Sequence, residues 1–267
     1  MVIPNGLTPL GGSFYVNSPI NGHWEDFIVR DLVGHIDSGY RTIAAPSARA
    51  IAGHSMGGFG ALNVAMRHPD VFGAAYALSP GLAAPGGLES HPGFASTAVR
   101  QRVCDFLDTM RNTEGCRSEA MLLAQASYWN QVFDTYALFA LAYCAAFAPG
   151  SEGNGLGLEY PYRRQGADFV RDPAAWERCE WGFGKWDEKI QQNLGSLRKL
   201  SFIAIDVGAN DEYPWITEGC RYVSQVMTSA GIPNELMTYS GGHEDKLRER
   251  LETSMFPALS RFFAGRR

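Results

Sequence analysis

Apolar and polar residues recur with two different periods along the chain, and these periods predict strands and helices in alternation. Short strand-like segments, each with several apolar residues, occupy residues 48–52, 74–78, 202–207 and 235–239. Apolar side chains three and four positions apart predict helices over residues 25–36, 62–66, 217–230 and 246–263. Strands alternating with helices at both ends of the chain predict an α/β fold, a mostly parallel sheet flanked by helices.

The middle of the chain has a different composition from its two ends. Residues 81–196 are rich in Trp, Tyr, Ala and Arg, with a long helical pattern at 121–147 and a glycine-rich loop at 150–157. We therefore predict one core built from residues 1–80 and 197–267. Residues 81–196 are predicted to be a large inserted cap over the carboxyl edge of the sheet, before the strand that carries the catalytic acid.

Composition and charge exclude several classes of protein. The 267 residues are 45% apolar and 12% aromatic, with a formal charge of −5, which argues against a disordered chain and against a nucleic-acid partner. The longest apolar run, residues 137–148, is shorter than the roughly 20 residues that cross a bilayer, so no membrane span is expected. The first residues have no secretory pattern, and this favours the cytoplasm.

The five cysteines show no metal-binding spacing. They lie at positions 104, 116, 144, 179 and 220, so no Cys-x-x-Cys pair exists. We expect no zinc site and mostly reduced, buried thiols.

One short segment has the residues that a serine nucleophile needs. Residues 53–57 read Gly-His-Ser-Met-Gly, and Gly58 follows. A predicted strand enters this G-x-S-x-G segment and a predicted helix leaves it, as in a nucleophile elbow. The glycines let neighbouring backbone approach closely, and the helix start directs free N–H groups toward the serine. We predict Ser55 as the nucleophile and the backbone N–H of Met56 as an oxyanion-hole donor.

A serine hydroxyl needs a base to take its proton. His243 follows the last predicted strand and precedes the final helix, where an α/β-hydrolase carries its base, so we predict His243 for that role. His54 adjoins Ser55 in the sequence, and its side chain is expected to point away. The other histidines are expected to be structural or at the surface: His23, His35, His68 and His91.

The base in turn needs an acid that orients it. Residues 205–212 offer three carboxylates, on Asp206, Asp211 and Glu212. Asp206 falls within the strand pattern, whereas Asp211 lies in the loop beyond the strand, where it can reach over the sheet edge. We favour Asp211, with Asp206 and then Glu212 as alternatives. The resulting chain order is Ser, Asp, His, as in α/β-hydrolases.

These motifs together resemble one family. They comprise residues 13–18, 24–27, 40–42, 50–58 and 68–69, then Asp-x-Gly-x-x-Asp at 206–211 and Gly-Gly-His at 241–243. The chain resembles the Putative esterase family of α/β-hydrolases, which includes S-formylglutathione hydrolase (esterase D), feruloyl and tributyrin esterases and the mycolyltransferases. The resemblance covers residues 1–80 and 197–265.

The chain departs from the family at its start. Family members usually begin with three further strands, and the third, beside the elbow strand, ends in a loop with the second oxyanion donor. Either Val2 and Ile3 move into that place, a partner chain such as a second copy covers the edge, or the chain is a fragment. The second donor is unidentified; the loop at residues 5–12 would supply it if the first strand moved inward.

The resemblance implies a serine esterase that cleaves carboxylic esters through an acyl-enzyme, with short-chain or aryl esters as small-molecule substrates. It calls for no cofactor and no metal. A thioesterase of the S-formylglutathione hydrolase kind and an acyltransferase are alternatives with the same residues. A catalytically weak interaction protein with a truncated esterase fold is the alternative outside enzymes.

Overall fold

The structure, a computed structural model, describes residues 1–112, 135–150 and 155–265. The chain divides into two compact units. Met1–Trp24 and Gly86–Gly184 form the first, called here the aromatic unit, and Glu25–Pro85 and Lys185–Arg267 form the second, the sheet unit. The division predicted from the sequence, with boundaries after residues 80 and 196, stays a prediction.

A four-stranded parallel sheet forms the centre of the sheet unit. In spatial order its strands are Ala50–His54, Ala74–Leu78, Phe202–Gly208 and Glu235–Tyr239. All three neighbouring pairs are parallel, so the carboxyl ends of the strands meet at one edge of the sheet. The strand Ala74–Leu78 is buried at every position, as expected of a strand covered on both faces.

Helices cover the two faces of this sheet. Successive side chains of a strand point to opposite faces. Tyr76 packs with Met255 on one face, and Ala75 lines a small cavity together with Leu62 and Met227 on the other. The helical segments of the unit are Phe27–Leu32 (π-helical), Val33–Gly39, Pro46–Ala48 (3-10), Met56–Arg67, Trp186–Gln192, Leu194–Leu197, Pro214–Ser229, Leu247–Arg250, Leu251–Met255 (π-helical) and Phe256–Ala264. The short helix Trp24–Asp26 precedes the first of them.

The strand Ala50–His54 lies at the edge of the sheet within the described residues. Val2 and Ile3 are 47% and 79% exposed and belong to no strand. Of the three alternatives for the place beside this strand, the one that moves Val2 and Ile3 there is wrong. The proposed position of the loop at residues 5–12 near the oxyanion depended on that alternative and loses its support. Two apolar residues followed by Pro4, which lacks an N–H group, offer too little for a strand ladder.

Within the described residues, the aromatic unit consists of helices and two hairpins. Its helices are Gly87–Ser90, Pro92–Ala95, Thr97–Arg111, Thr135–Phe147 and Pro173–Phe183. The hairpins pair Asn17–Ser18 with Gly22–His23 and Tyr162–Gln165 with Asp168–Arg171. Stacked rings fill its core, with Phe94 5.9 Å from Tyr160 and 6.2 Å from Tyr143 between ring centroids. Burial lowers the pKa of His91 in this core to about 3.

The elements predicted at both ends of the chain are present. The strands at 74–78 and 235–239 have the predicted bounds, and the predicted strand at 48–52 lies two residues later. The helix predicted at 121–147 is described from Thr135 to Phe147, and its first part lies outside the described residues. The α/β class with a parallel sheet flanked by helices is confirmed. Within the described part of the chain, every helix is too short or too polar to cross a lipid bilayer.

Candidate active site

Ser55 sits in a strained turn between the edge strand Ala50–His54 and the helix Met56–Arg67. Its backbone has φ 56° and ψ −116°, a conformation that costs a non-glycine residue about 1–3 kcal/mol. Three hydrogen bonds hold the turn: the N–H of Ser55 donates to Leu78 O (2.9 Å), and its carbonyl accepts from the N–H groups of Phe59 (3.0 Å) and Gly81 (3.2 Å). The sequence folds into the elbow geometry that its motif predicts.

The glycines around Ser55 leave no room for side chains. A Cβ atom on Gly53 would lie 2.2 Å from the carbonyl carbon and oxygen of Gly57. A Cβ atom on Gly58 would lie 3.0 Å from the carbonyl oxygen of Leu78. Strand and helix thus cross at backbone contact, which explains why the motif requires glycine two residues before the serine.

Met56 is the first residue of the helix that follows Ser55. The first N–H groups of a helix have no partner within the helix and lie at its positive end, so they suit an anion. The predicted donor, the Met56 N–H, therefore belongs to the first residue of the helix whose positive end adjoins Ser55. Its role in an oxyanion hole stays a prediction, as does the identity of a second donor.

Asp211 and His243 meet beyond the carboxyl ends of the last two strands of the sheet, Phe202–Gly208 and Glu235–Tyr239. His243 Nδ1 and Asp211 Oδ2 are 2.8 Å apart, with side chains 7% and 0% exposed. The other oxygen of Asp211, Oδ1, accepts the N–H of Tyr213 at 2.9 Å. The carboxylate is thereby oriented, and a buried carboxylate on Nδ1 fixes the ring so that Nε2 is free to act as a base.

The two alternative acids have other partners. Asp206 Oδ2 accepts from the hydroxyl of Tyr76 (2.9 Å) and from Arg250 Nη2 (2.8 Å). Glu212 Oε2 accepts the main-chain N–H of His243 at 2.7 Å, and this bond is the main cause that lowers the pKa of Glu212. The structure thus brings Asp211, the favoured candidate, to the ring of His243.

His54 contacts the loop that carries His243. His54 Nε2 lies 2.8 Å from the main-chain oxygen of His243, and the two ring centroids are 4.6 Å apart. The expectation that His54 points away is therefore wrong, because the His243 loop passes over the strand end and its buried carbonyl needs a donor. Burial is the main cause that lowers the pKa of His54, so the ring is neutral near pH 7.

The serine hydroxyl and the histidine ring are not hydrogen-bonded to each other. Among the described residues, Ser55 Oγ makes no hydrogen bond with His243 Nε2. In free serine enzymes this bond is often long and tightens when substrate binds.

The remaining histidines have structural or surface positions. His68 Nε2 lies 2.7 Å from the carboxylate of Glu25, which also binds Arg67. His91 is buried in the aromatic unit, and His23 and His35 are exposed.

The sequence reasoning missed two contacts of the histidine. The ring of Tyr213 stands edge-on to that of His243, with centroids 5.0 Å apart, and Glu212 holds the main chain of the same residue. The one sequence signal for either contact is that Glu212 and Tyr213 directly follow Asp211 in the chain.

Parallel strands with a strained Ser elbow and a buried Asp–His pair at their carboxyl edge define an α/β-hydrolase. The family follows from the sequence: residues 12–247 match the Putative esterase family, and the chain belongs to it. The match covers most of the 267 residues, so the resemblance drawn from the motifs is confirmed.

Several characterised proteins are similar to this chain. Esterase Rv1288 of Mycobacterium tuberculosis is 35% identical over 80 residues, which is 28% of this chain and 17% of that protein. A ferulic acid esterase structure aligns with TM-score 0.52 at 18% identity, over 93% of this chain and 64% of its own. The fluorophosphonate-binding serine hydrolase FphF of Staphylococcus aureus aligns with TM-score 0.50 at 13% identity, over 94% and 68%. The two structures support the fold alone, and the chain spans less than two thirds of the first two proteins.

Proposed function

We propose that this protein is a carboxylic ester hydrolase that works through an acyl-enzyme on Ser55. The observation that carries the proposal is the buried hydrogen bond between His243 Nδ1 and Asp211 Oδ2, at the same sheet edge as a strained serine. The chain order Ser, Asp, His and membership of an esterase family support the same activity.

In the acylation half, Ser55 Oγ attacks the ester carbonyl carbon while its proton moves to His243 Nε2. The imidazolium that forms is stabilised by Asp211, whose side chain is inaccessible to water. The carbonyl oxygen becomes an oxyanion, which the Met56 N–H stabilises at the start of its helix. Collapse of this intermediate breaks the ester C–O bond, and His243 returns the proton to the departing alcohol.

In the deacylation half, water takes the place of the alcohol. His243 removes one proton from water as its oxygen attacks the acyl carbon, and a second tetrahedral oxyanion forms in the same hole. Its collapse breaks the bond to Ser55 Oγ, which takes the proton back from His243, and the carboxylic acid leaves. The side chains needed are Ser55, His243 and Asp211, with small-molecule esters as substrates.

Turnover of a matched set of substrates tests this proposal. The set is p-nitrophenyl acetate, p-nitrophenyl butyrate, an S-acyl glutathione, and an aryl ester with added alcohol. We expect hydrolysis of the aryl esters by the wild type and by Ser79→Ala, a serine that follows the neighbouring strand, and none by Ser55→Ala. Turnover confined to the thioester, or transfer to the alcohol in place of hydrolysis, would replace ester hydrolysis with the corresponding activity. A folded protein without turnover on any of them would contradict an enzymatic function.

We further propose the cytoplasm as the location of the protein. Four cysteines of the described residues are buried free thiols, at positions 104, 144, 179 and 220. The sulfur atoms of Cys144 and Cys179 are hydrogen-bonded at 3.8 Å and form no disulfide, a state that a reducing compartment maintains. Alkylation of free thiols at lysis, followed by peptide mass spectrometry without reduction, tests this; we expect Cys144 and Cys179 alkylated, and a disulfide between them would argue against it.

A further inference from the structure

Two hydrogen bonds hold Gly242 in the loop that carries His243: its N–H donates to Asp245 Oδ1 at 2.8 Å, and its carbonyl accepts from the Tyr239 hydroxyl at 3.2 Å. Gly241 and Gly242 precede His243, and glycine has the widest backbone freedom of any residue. A Cβ atom on Gly242 would lie 2.5 Å from Glu212 Oε1, so a larger residue there would displace the Glu212 carboxylate. A base must be held within about half an ångström of its working position. The main-chain groups of His243 itself are bound by residues outside the loop.

Two side chains bind the main chain of His243 from opposite sides. Glu212 Oε2 accepts its N–H at 2.7 Å, and His54 Nε2 donates to its carbonyl oxygen at 2.8 Å. The two partners come from different elements, since Glu212 follows the acid Asp211 and His54 precedes the nucleophile Ser55. The N–H of His243 is thus bound to the residue that adjoins Asp211, and its carbonyl is bound to the residue that adjoins Ser55.

We propose that His54 and Glu212 are positioning residues that hold His243 in register with Ser55 and Asp211. This inference rests on the proposed function and deepens it, since neither residue touches the reacting atoms. His54 ties the histidine loop to the peptide that bears the nucleophile, and Glu212 ties it to the loop that bears the acid. A neutral His54 with its proton on Nε2 provides the donor that the carbonyl requires.

Pairs of matched substitutions separate the hydrogen bonds from packing. His54→Gln keeps an N–H donor three bonds from Cβ, whereas His54→Met has a similar length and no donor. Glu212→Gln keeps an oxygen acceptor, and Glu212→Met removes it. His35→Leu replaces an exposed histidine distant in sequence and controls for the loss of an imidazole.

We expect the two Met variants to lower kcat for p-nitrophenyl acetate about 10–100-fold with little change in KM, because a small misplacement of the base affects the chemical step. The Gln variants should stay within about threefold of the wild type, a rescue that a role in packing alone does not explain. Equal kcat values in the Met and Gln members of both pairs would overturn the proposal.

Hydrogen exchange of the segment at residues 240–246 provides a readout that does not depend on turnover. The His54→Met and Glu212→Met variants should exchange faster there than the wild type, while the Gln variants and His35→Leu keep its protection. Unchanged exchange in the Met variants would overturn the proposal. If hydrogen exchange in the variants follows this pattern but the wild type hydrolyses no ester, the positioning of His243 by His54 and Glu212 is supported and the proposed function is contradicted.

Discussion

The substitution Asp211→Asn tests the most specific contact of the candidate site. Asn keeps an oxygen for the N–H of Tyr213, which Asp211 Oδ1 now accepts at 2.9 Å, so the local fold is retained. Its NH2 group then faces His243 Nδ1, where Asp211 Oδ2 lies at 2.8 Å. The ring would accept at Nδ1 and carry its proton on Nε2, and it could no longer take the proton of Ser55.

The magnitude follows from burial. The two side chains are 7% and 0% exposed, so water cannot replace the lost carboxylate. In the serine proteases, the same exchange lowers kcat about 10⁴-fold with the geometry intact. We expect a fall of about 10³–10⁴-fold here, or roughly 4–5.5 kcal/mol of transition-state stabilisation.

Asp206→Asn is the matched control, five residues earlier in the same segment. Asp206 is fully buried and binds Tyr76 and Arg250 in place of His243. Breaking this buried pair should destabilise the fold by at least about 2 kcal/mol, with kcat per folded molecule close to that of the wild type.

The assay combines kcat for p-nitrophenyl acetate, normalised by active-site titration, with urea unfolding of each variant. The expected pattern is loss of turnover with a near-native fold for Asp211→Asn and the reverse for Asp206→Asn. A kcat for Asp211→Asn within tenfold of the wild type would refute the assignment of the acid. Loss of turnover by folded Asp206→Asn would do so as well.

Two further predictions concern stability. Gly53→Ala should lower the free energy of unfolding, measured in urea, by about 3 kcal/mol or more, because its Cβ would meet the Gly57 backbone at 2.2 Å. The control is Gly34→Ala, at an open helical position that should tolerate the change without loss of stability. Equal stability of the two variants would contradict the packing account. Burial lowers the pKa of Lys189 from 10.5 to about 7, so the unfolded chain binds more protons between those values and this group's contribution to stability rises with pH. Lys189→Met should therefore stabilise the protein at pH 6, by up to about 5 kcal/mol, and the gain in stability should disappear near pH 11. A gain that is independent of pH, or an equal gain from Lys199→Met at an exposed position, would contradict the role of Lys189 burial.

The sequence predicted the sheet and the elbow because both have local signals. Strand-like segments of five residues marked the strands at Ala74–Leu78 and Glu235–Tyr239, and glycine spacing marked the turn at Ser55. The position of Asp211 in the loop beyond the strand favoured it as the acid. In the strand itself, Asp206 pairs with Arg250, 44 positions away, and no local pattern shows that partner.

What the sequence could not predict depends on contacts between distant segments. His54 and the His243 carbonyl are 189 positions apart, so the sequence favoured a side chain that points away. The hairpin strands Asn17–Ser18 and Gly22–His23 have two residues each, too few for any period to be visible. Val2 and Ile3 had a strand-like pattern, but the following proline and the lack of further apolar residues left them exposed.

The most direct test of the central claim is mass spectrometry of the protein quenched during turnover of p-nitrophenyl acetate. The account predicts one acetyl group per chain, located on Ser55 and formed as fast as the burst of p-nitrophenol, and none in Ser55→Ala. Hydrolysis that proceeds without acetylated Ser55, or persists in Ser55→Ala, would contradict an acyl-enzyme mechanism at this serine.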